Sequence, residues 1–235
     1  MNINFFGDIF FPPACVGCGD SILCGVICDT CRHGIDGFDT LFCGTCVARL
    51  PEQKKICHKD APYLLGAAGR YDDEALRALI HALKFQGIAG AAEPLAEILL
   101  AYVARLGLDL RDFIAVPVPL STKRARARGF NQSALIARPF ARALGIPCEE
   151  HLLARVIHRK PQSETEDIFE RRENVHDCFA LADAGGANGG TITAQGKKII
   201  LIDDVTTSGT TFTEAARVLK SGGAKKIIAL AVAKA

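Results

Sequence analysis

This sequence predicts an α/β fold: a doubly wound, mostly parallel sheet behind a small N-terminal cysteine-rich module. Three observations point to it. Residues 199–202 (Ile-Ile-Leu-Ile) form an aliphatic run too short for a helix, as expected of a strand buried on both faces of a parallel sheet. Apolar residues with helical spacing, among them Leu76, Leu79, Ile80 and Leu83, alternate with further strand-like runs. Eight of the ten cysteines fall between Cys15 and Cys57, and the remainder of the 235 residues is long enough to bury one substantial core.

From the amino terminus, Phe5, Phe6, Ile9, Phe10 and Phe11 form an apolar cluster suited to covering the module or the main domain. Cys15-x-x-Cys18 and Cys28-x-x-Cys31 are paired knuckles that together supply four thiolates to one tetrahedral zinc. Cys43-x-x-Cys46 with Cys57 suggests a second site, completed by His58, Asp60 or Cys24. A disulfide framework is the alternative, but no secretory leader is visible and a large ordinary domain follows, which favours reduced, metal-bound thiols. Residues 1–61 are therefore expected to form a double zinc-ribbon-like module and residues 62–235 the main domain. Cys148 and Cys178 read as buried packing residues.

In the main domain the spacing predicts a helix up to Lys84-Phe85, a break at Gly87, and a second helix through Leu95, Ile98, Leu99, Tyr102 and Leu106. Residues 113–118 read as a strand, 132–144 as a helix, and 175–181 with 191–202 as hairpin strands around the glycine-rich 185–190. A helix over 211–220 and a strand over 227–232 complete the chain. Net charge is only +2, so any nucleic-acid surface has to be a local patch. No apolar run approaches membrane-spanning length, and a cytoplasmic location is the expectation.

The apolar run ends on Asp203 and Asp204, where open α/β sheets bind ligands, and the small residues Thr206, Thr207, Ser208, Gly209 and Thr210 then lead into the next helix. Such a loop lets backbone N–H groups approach a phosphate at a helix N-terminus. Two carboxylates beside it suit the vicinal hydroxyls of a ribose, because ionised carboxylates only accept hydrogen bonds. An ordinary strand, turn and capped helix is the bland reading of the same residues. The string 198–211 resembles the 5-phosphoribosyl 1-pyrophosphate (PRPP) motif of type I phosphoribosyltransferases.

A second constellation follows Val116-Pro-Val-Pro-Leu120: Lys123, Arg124, Arg126 and Arg128 form a basic loop, and Gly129-Phe-Asn-Gln132 adjoins it. The cations could hold pyrophosphate or nucleic-acid phosphates, and Phe130 could stack on a base. A solvated charge run has the same composition. A third, residues 155–174 with Arg159, Lys160, Pro161, Gln162, Arg171, Arg172 and Asn174, reads as a lid-like loop or an exposed connection.

Together Lys84-Phe85, the Val-Pro-Val-Pro-Leu segment, Arg128-Gly-Phe-Asn-Gln132, Pro161-Gln162 with Arg172 and Asn174, and the Asp203 loop resemble the ComF family of competence proteins over nearly the whole chain. The resemblance implies a type I phosphoribosyltransferase fold behind a zinc finger and a role in natural transformation. In that role the protein handles incoming single-stranded DNA at the inner face of the membrane, with the DNA-uptake machinery as a partner. By position, Asp203 and Asp204 would hold the ribose hydroxyls and act in catalysis with Arg128, while Thr207, Ser208, Gly209, Thr210 and Thr211 would hold the 5-phosphate. Lys123, Arg124, Arg126, Arg128, Asn131 and Gln132 would contact pyrophosphate or DNA. The implied cofactors are structural zinc, on Cys15, Cys18, Cys28, Cys31, Cys43, Cys46 and Cys57, and magnesium with PRPP. An active transferase acting on an unnamed nitrogen acceptor, and a DNA-handling protein that binds the ligand without transfer, both stay open.

Overall fold

The computed structural model describes residues 13–51, 57–156, 178–182 and 193–235. The N-terminal aromatic cluster, the 159–174 constellation and the 185–190 glycines lie outside them, as does the side chain of Lys123.

Five strands make the main sheet: β1 (Leu41–Cys43), β2 (Leu64–Arg70), β3 (Phe113–Pro117), β6 (Lys198–Thr206) and β7 (Lys226–Lys234), in the spatial order β1-β2-β7-β6-β3. All neighbours are parallel except β1, which runs antiparallel to β2. This is the doubly wound, mostly parallel sheet expected from the sequence. Pro117 is tolerated because β3 is an edge strand and Pro117 is its last residue. The cysteine-rich segment meets the sheet through β1, and its Phe42 is packed with Tyr63 in the core.

The helices divide over the two faces. α2 (Glu74–Phe85), α3 (Ala92–Arg105) and α5 (Gln132–Leu144) bring Leu79, Leu83, Leu95, Leu99, Ile136 and Phe140 against Ile200, Ile202, Ile228 and Leu230. α6 (Thr210–Ser221) brings Phe212, Ala215 and Leu219 against Ile199, Leu201 and Ala229 on the other face. The odd and even residues of β6 thus serve two cores, which is why the run has no polar alternation. A short α1 (Asp29–His33) belongs to the first pair of cysteine knuckles.

Two expectations need correction. The expected hairpin of 175–181 with 191–202 is not formed by the described residues of those ranges, 178–181 and 193–202: β5 (Phe179–Leu181) pairs with β4 (Leu153–Arg155) in a separate two-stranded sheet, while β6 is inserted between β3 and β7. A wholly apolar run is worth more between two parallel neighbours, where both faces are covered, than in a half-exposed hairpin. The basic loop is a short helix, α4 (Thr122–Arg128), with the Ser121 hydroxyl accepting the Arg124 N–H at 3.4 Å and Gly129 closing it at φ 76°. Arginine and alanine are strong helix formers, and Ser and Gly are the matching start and stop.

Candidate functional site

The carboxyl ends of β6 and β3 adjoin, and the chain leaves them in opposite directions, so a crevice opens where the strand order reverses. Helix α5 starts above β3 and α2 ends beside β6. Both reach the acidic pair. The Ser133 hydroxyl donates to Asp203 Oδ1 at 2.8 Å, and the Asp204 N–H donates to the same oxygen at 2.9 Å. Asp204 is 3% exposed; its Oδ1 accepts the Val205 N–H at 2.7 Å, and its Oδ2 lies 2.9 Å from Lys84 Nζ. That last contact is an ion pair without hydrogen-bond alignment, so Oδ2 is a buried acceptor with no hydrogen bond among the described residues. Burial first, and then the charge of Asp204, push Asp203 up to about 7, against the opposing pull of Ser133, the Asp204 N–H and Lys84. The two carboxylates and Lys84 therefore form one interacting charge cluster, although each carboxylate has its own partner helix.

Beyond the strand, Thr207, Ser208 and Thr210 are exposed and Thr211 is half-buried. The Ser208 and Thr210 hydroxyls share a hydrogen bond of 2.7 Å. Gly209 is buried with φ 76°, the left-handed region, and no side chain caps the helix that starts there. The N–H groups of the first turn of α6 are thus directed at whatever occupies the loop, where an anion is stabilised by the helix dipole.

What fixes Gly209 comes from the cysteine-rich side of the molecule. The Tyr63 hydroxyl donates to the Gly209 carbonyl at 3.2 Å and shares a hydrogen bond of 3.1 Å with the Thr213 hydroxyl. A Cβ on Gly209 would stand 2.9 Å from that hydroxyl and 3.9 Å from Val47 Cγ2. Val47 closes the Cys43-x-x-Cys46 knuckle at φ 59°, a left-handed conformation rare for a β-branched residue. Gly44 of the same knuckle is pressed on the Tyr63 carbonyl, where any side chain would collide. The second knuckle, Tyr63 and the Gly209 loop are one stack. Tyr63 has no catalytic signature in the sequence, and only its place after the last ligand of the module hints at this role.

The cysteines form two sets. Sulfurs of Cys15, Cys18, Cys28 and Cys31 lie within 4.8 Å of one another, as do the donor atoms of Cys43, Cys46, Cys57 and His58. His58, not Asp60 or Cys24, completes the second set, with Nδ1 3.3 Å from Cys43 Sγ. All ten cysteines are free. Cys18–Cys28 and Cys46–Cys57 are separated by 3.8 and 3.7 Å, close to the edge of about 3.8 Å for a tetrahedron with metal–sulfur bonds of about 2.3 Å. Burial alone would raise the Cys15 thiol, yet N–H groups from Cys18, Cys28 and Gly17 bring it down to about 6. Burial likewise opposes ionisation of Cys43, which the N–H groups of Cys46 and Thr45 and then His58 bring down to about 6. Four thiols in the first set and three with an imidazole in the second, each set within 4.8 Å and with backbone donors favouring thiolate at Cys15 and Cys43, fit a structural metal, whose charge would offset the mutual hydrogen bonding and repulsion that hold Cys31 and Cys57 protonated without it.

The remaining sequence-predicted residues are distributed unevenly. Arg128 lies over the Phe85 ring at 5.3 Å and donates to Gln132 Oε1 at 2.9 Å. Gln132 is 4% exposed, and Asn131 is occupied as the cap of α5, accepting from the Ser133 N–H and donating to the Val118 carbonyl. Arg124 and Arg126 are exposed. On a helix Arg126 lies about 200° from both Arg124 and Arg128, so the three do not form one basic face. Phe130 is partly buried on the core, and the exposed aromatic at this end is Phe85. Ser133 was not legible as an acid partner, and Phe85 stands about 180° from Leu76, which marks it as outward-facing.

The phosphoribosyl transferase domain matches residues 83–235. The DNA utilization protein YhgH of Salmonella typhi is 31% identical over 195 residues, covering 81% of this chain and 77% of that protein. Competence protein F of Haemophilus influenzae is 29% identical over 237 residues, covering 96% and 99%. Competence protein ComFC of Bacillus subtilis is 32% identical over 120 residues, covering 48% and 40%.

Three measurements check this geometry. Metal analysis of the purified chain should find two ions per molecule, and stripping them should cost folded structure by circular dichroism. Tyr63→Phe should cost about 1 kcal/mol in chemical denaturation, with faster amide exchange across 207–211 at unchanged metal content. Asp203 has a folded value of about 7 against an ordinary one of about 3.9. Its contribution to stability is therefore present at acid pH and lost as pH rises through neutrality. Asp203→Asn keeps the Oδ1 acceptor and should melt higher than the native chain, with an advantage that grows to about 2 °C or more between about pH 5 and about pH 8.

Proposed function

Because this chain belongs to the phosphoribosyl transferase domain family, and within it to the ComF competence proteins, we propose that the crevice at the end of β6 binds PRPP or a related phosphoribosyl ligand in a protein that handles single-stranded DNA during competence. The observation that carries the reading is the juxtaposition of an uncapped helix N-terminus, behind left-handed Gly209, with the Asp203–Asp204 cluster at the reversal of strand order. The 5-phosphate would take the N–H groups and hydroxyls of 207–211, and the ribose hydroxyls would donate to the carboxylates. Asp204 Oδ2, buried without a hydrogen bond, is suited to accept one. Magnesium, when bound with PRPP, would neutralise the diphosphate. Zinc is the metal that suits the two cysteine sets, being the usual ion of closed thiolate and thiolate–histidine sites. DNA handling draws on the named functions of relatives, called a DNA utilization protein and competence proteins. Among the described residues no helix is long and apolar enough to cross a membrane.

A second reading, transfer of the ribosyl group, is favoured by one feature. Phe85 is 62% exposed at the mouth of the crevice, next to Lys84 and under Arg128, and offers a stacking surface to a planar acceptor. In that reaction the C1–O bond to pyrophosphate breaks, the leaving group takes the electron pair, a C1–N bond forms, and the amine proton passes to solvent or to Asp203. Calorimetry with PRPP and Mg²⁺ should show saturable binding that Asp203→Asn weakens at least tenfold; undiminished affinity would remove the ribose assignment. Release of pyrophosphate on adding nucleobases or DNA would establish the second reading, and binding without release the first.

A further inference from the structure

At the opposite end of the sheet the strands begin on lysines. Lys198 and Lys226 open β6 and β7 and are partners in the ladder, and the residues before them, Lys197 and Lys225, are joined by a 2.8 Å bond from the Lys225 N–H to the Lys197 carbonyl. Lys220 at the end of α6 donates to the Lys225 carbonyl at 3.1 Å. Lys59 comes from the second cysteine set and lines, with Cys57, His58, Lys220, Lys225 and Lys226, a cavity of about 190 Å³. Lys198 is paired with Asp112 at 3.0 Å. The other five lysines have no ion-pair partner among the described residues. Lys59, Lys220 and Lys225 thus bring three such charges to the hollow of a chain whose net charge is only +2, with Lys197 beside Lys225 and the Lys226 Nζ over the Phe113 ring at 5.7 Å.

We propose that this lysine-rimmed hollow, about 18 Å along β6 from the carboxylate crevice, is the surface that holds the phosphodiester backbone of single-stranded DNA. The inference rests on the DNA-handling reading given above. Like charges gathered without counter-ions destabilise the free protein and are relieved by a polyanion. The hollow favours a chain of protruding phosphates over a flat bilayer, because a planar surface would reach its rim and not its floor. It also meets a requirement that α4 does not, since Arg124 and Arg126 diverge around their helix while Lys59, Lys220 and Lys225 line one hollow. Separation of the two sites lets one molecule hold a strand at one end and a phosphoribosyl ligand at the other.

The test is fluorescence anisotropy with labelled oligothymidylate over about 50 to 200 mM salt. The full chain is compared with K220Q/K225Q/K226Q, which keeps the apolar stems, and with R124Q/R126Q. The lysine variant should bind at least tenfold more weakly, with the slope of log affinity against log salt flattened by about 2, the value for three lost phosphate contacts on a single strand. PRPP affinity and melting temperature should be unchanged. Native binding that the lysine variant retains and the arginine variant loses overturns this inference alone. Failure of the native chain to bind DNA overturns the DNA-handling reading with it. Loss of binding to anionic phospholipid vesicles, with DNA binding intact, would assign the hollow to a membrane and overturn the proposal.

Discussion

Two neighbouring carboxylates at the mouth of an apolar sheet repel one another and resist burial, and the molecule is arranged around balancing them. Lys84 does so from the last turn of α2, and Ser133 from the first turn of α5. Neither helix is free to place these groups by itself. α2 is started by Asp73, whose side chain accepts the Leu76 N–H, and is held by Leu79, Ile80 and Leu83 in the core. α5 is started by Asn131 and held by Ile136 and Phe140. Charge balance at the crevice therefore inherits the rigidity of the hydrophobic packing below it, and breaking the Lys84–Asp204 pair on either side would leave a buried charge alone.

The same dependence extends to the cysteine-rich side. The left-handed Gly209 and the left-handed Val47 face each other across Tyr63, so the conformation of the 207–211 loop is supported by a knuckle whose four donor side chains, Cys43, Cys46, Cys57 and His58, gather within 4.8 Å. A conformation costing of order 1–3 kcal/mol persists only when its surroundings over-determine it. In Val47 the surroundings are Cys43 and Cys46 on one side and the core on the other. The module is thus a structural part of the crevice as well as a neighbour of the lysine hollow.

Much of this was legible from residues alone. Runs without alternation announced strands buried on both faces, and Cys-x-x-Cys spacing announced the two metal sets, because both signals are local. The parallel pairing of β6 with β3 and β7 was not readable from 191–202, where a nearby glycine-rich turn mimicked a hairpin. Ser133 escaped because its partner is 70 residues away and nothing in its own helix marks it. Arg124, Arg126 and Arg128 looked like one patch because adjacency in sequence hides the 100° step of a helix. The lysine pairs at 197–198 and 225–226 look like ordinary strand borders until the ladder sets them side by side.

The order of strands has a bearing on biosynthesis. β7, made after the other described strands, lies in the interior of the sheet between β2 and β6, so the strand that leaves the cysteine-rich segment waits more than 150 residues for its neighbour. Until β7 has left the ribosome, β2 presents a bare apolar edge of the kind that invites aggregation. Metal capture at the two cysteine sets, as proposed above, would close loops of a dozen residues or so and needs no distant partner. A nascent chain starved of metal would lack this early ordered unit, and would meet its chaperones with both halves of the molecule unfinished.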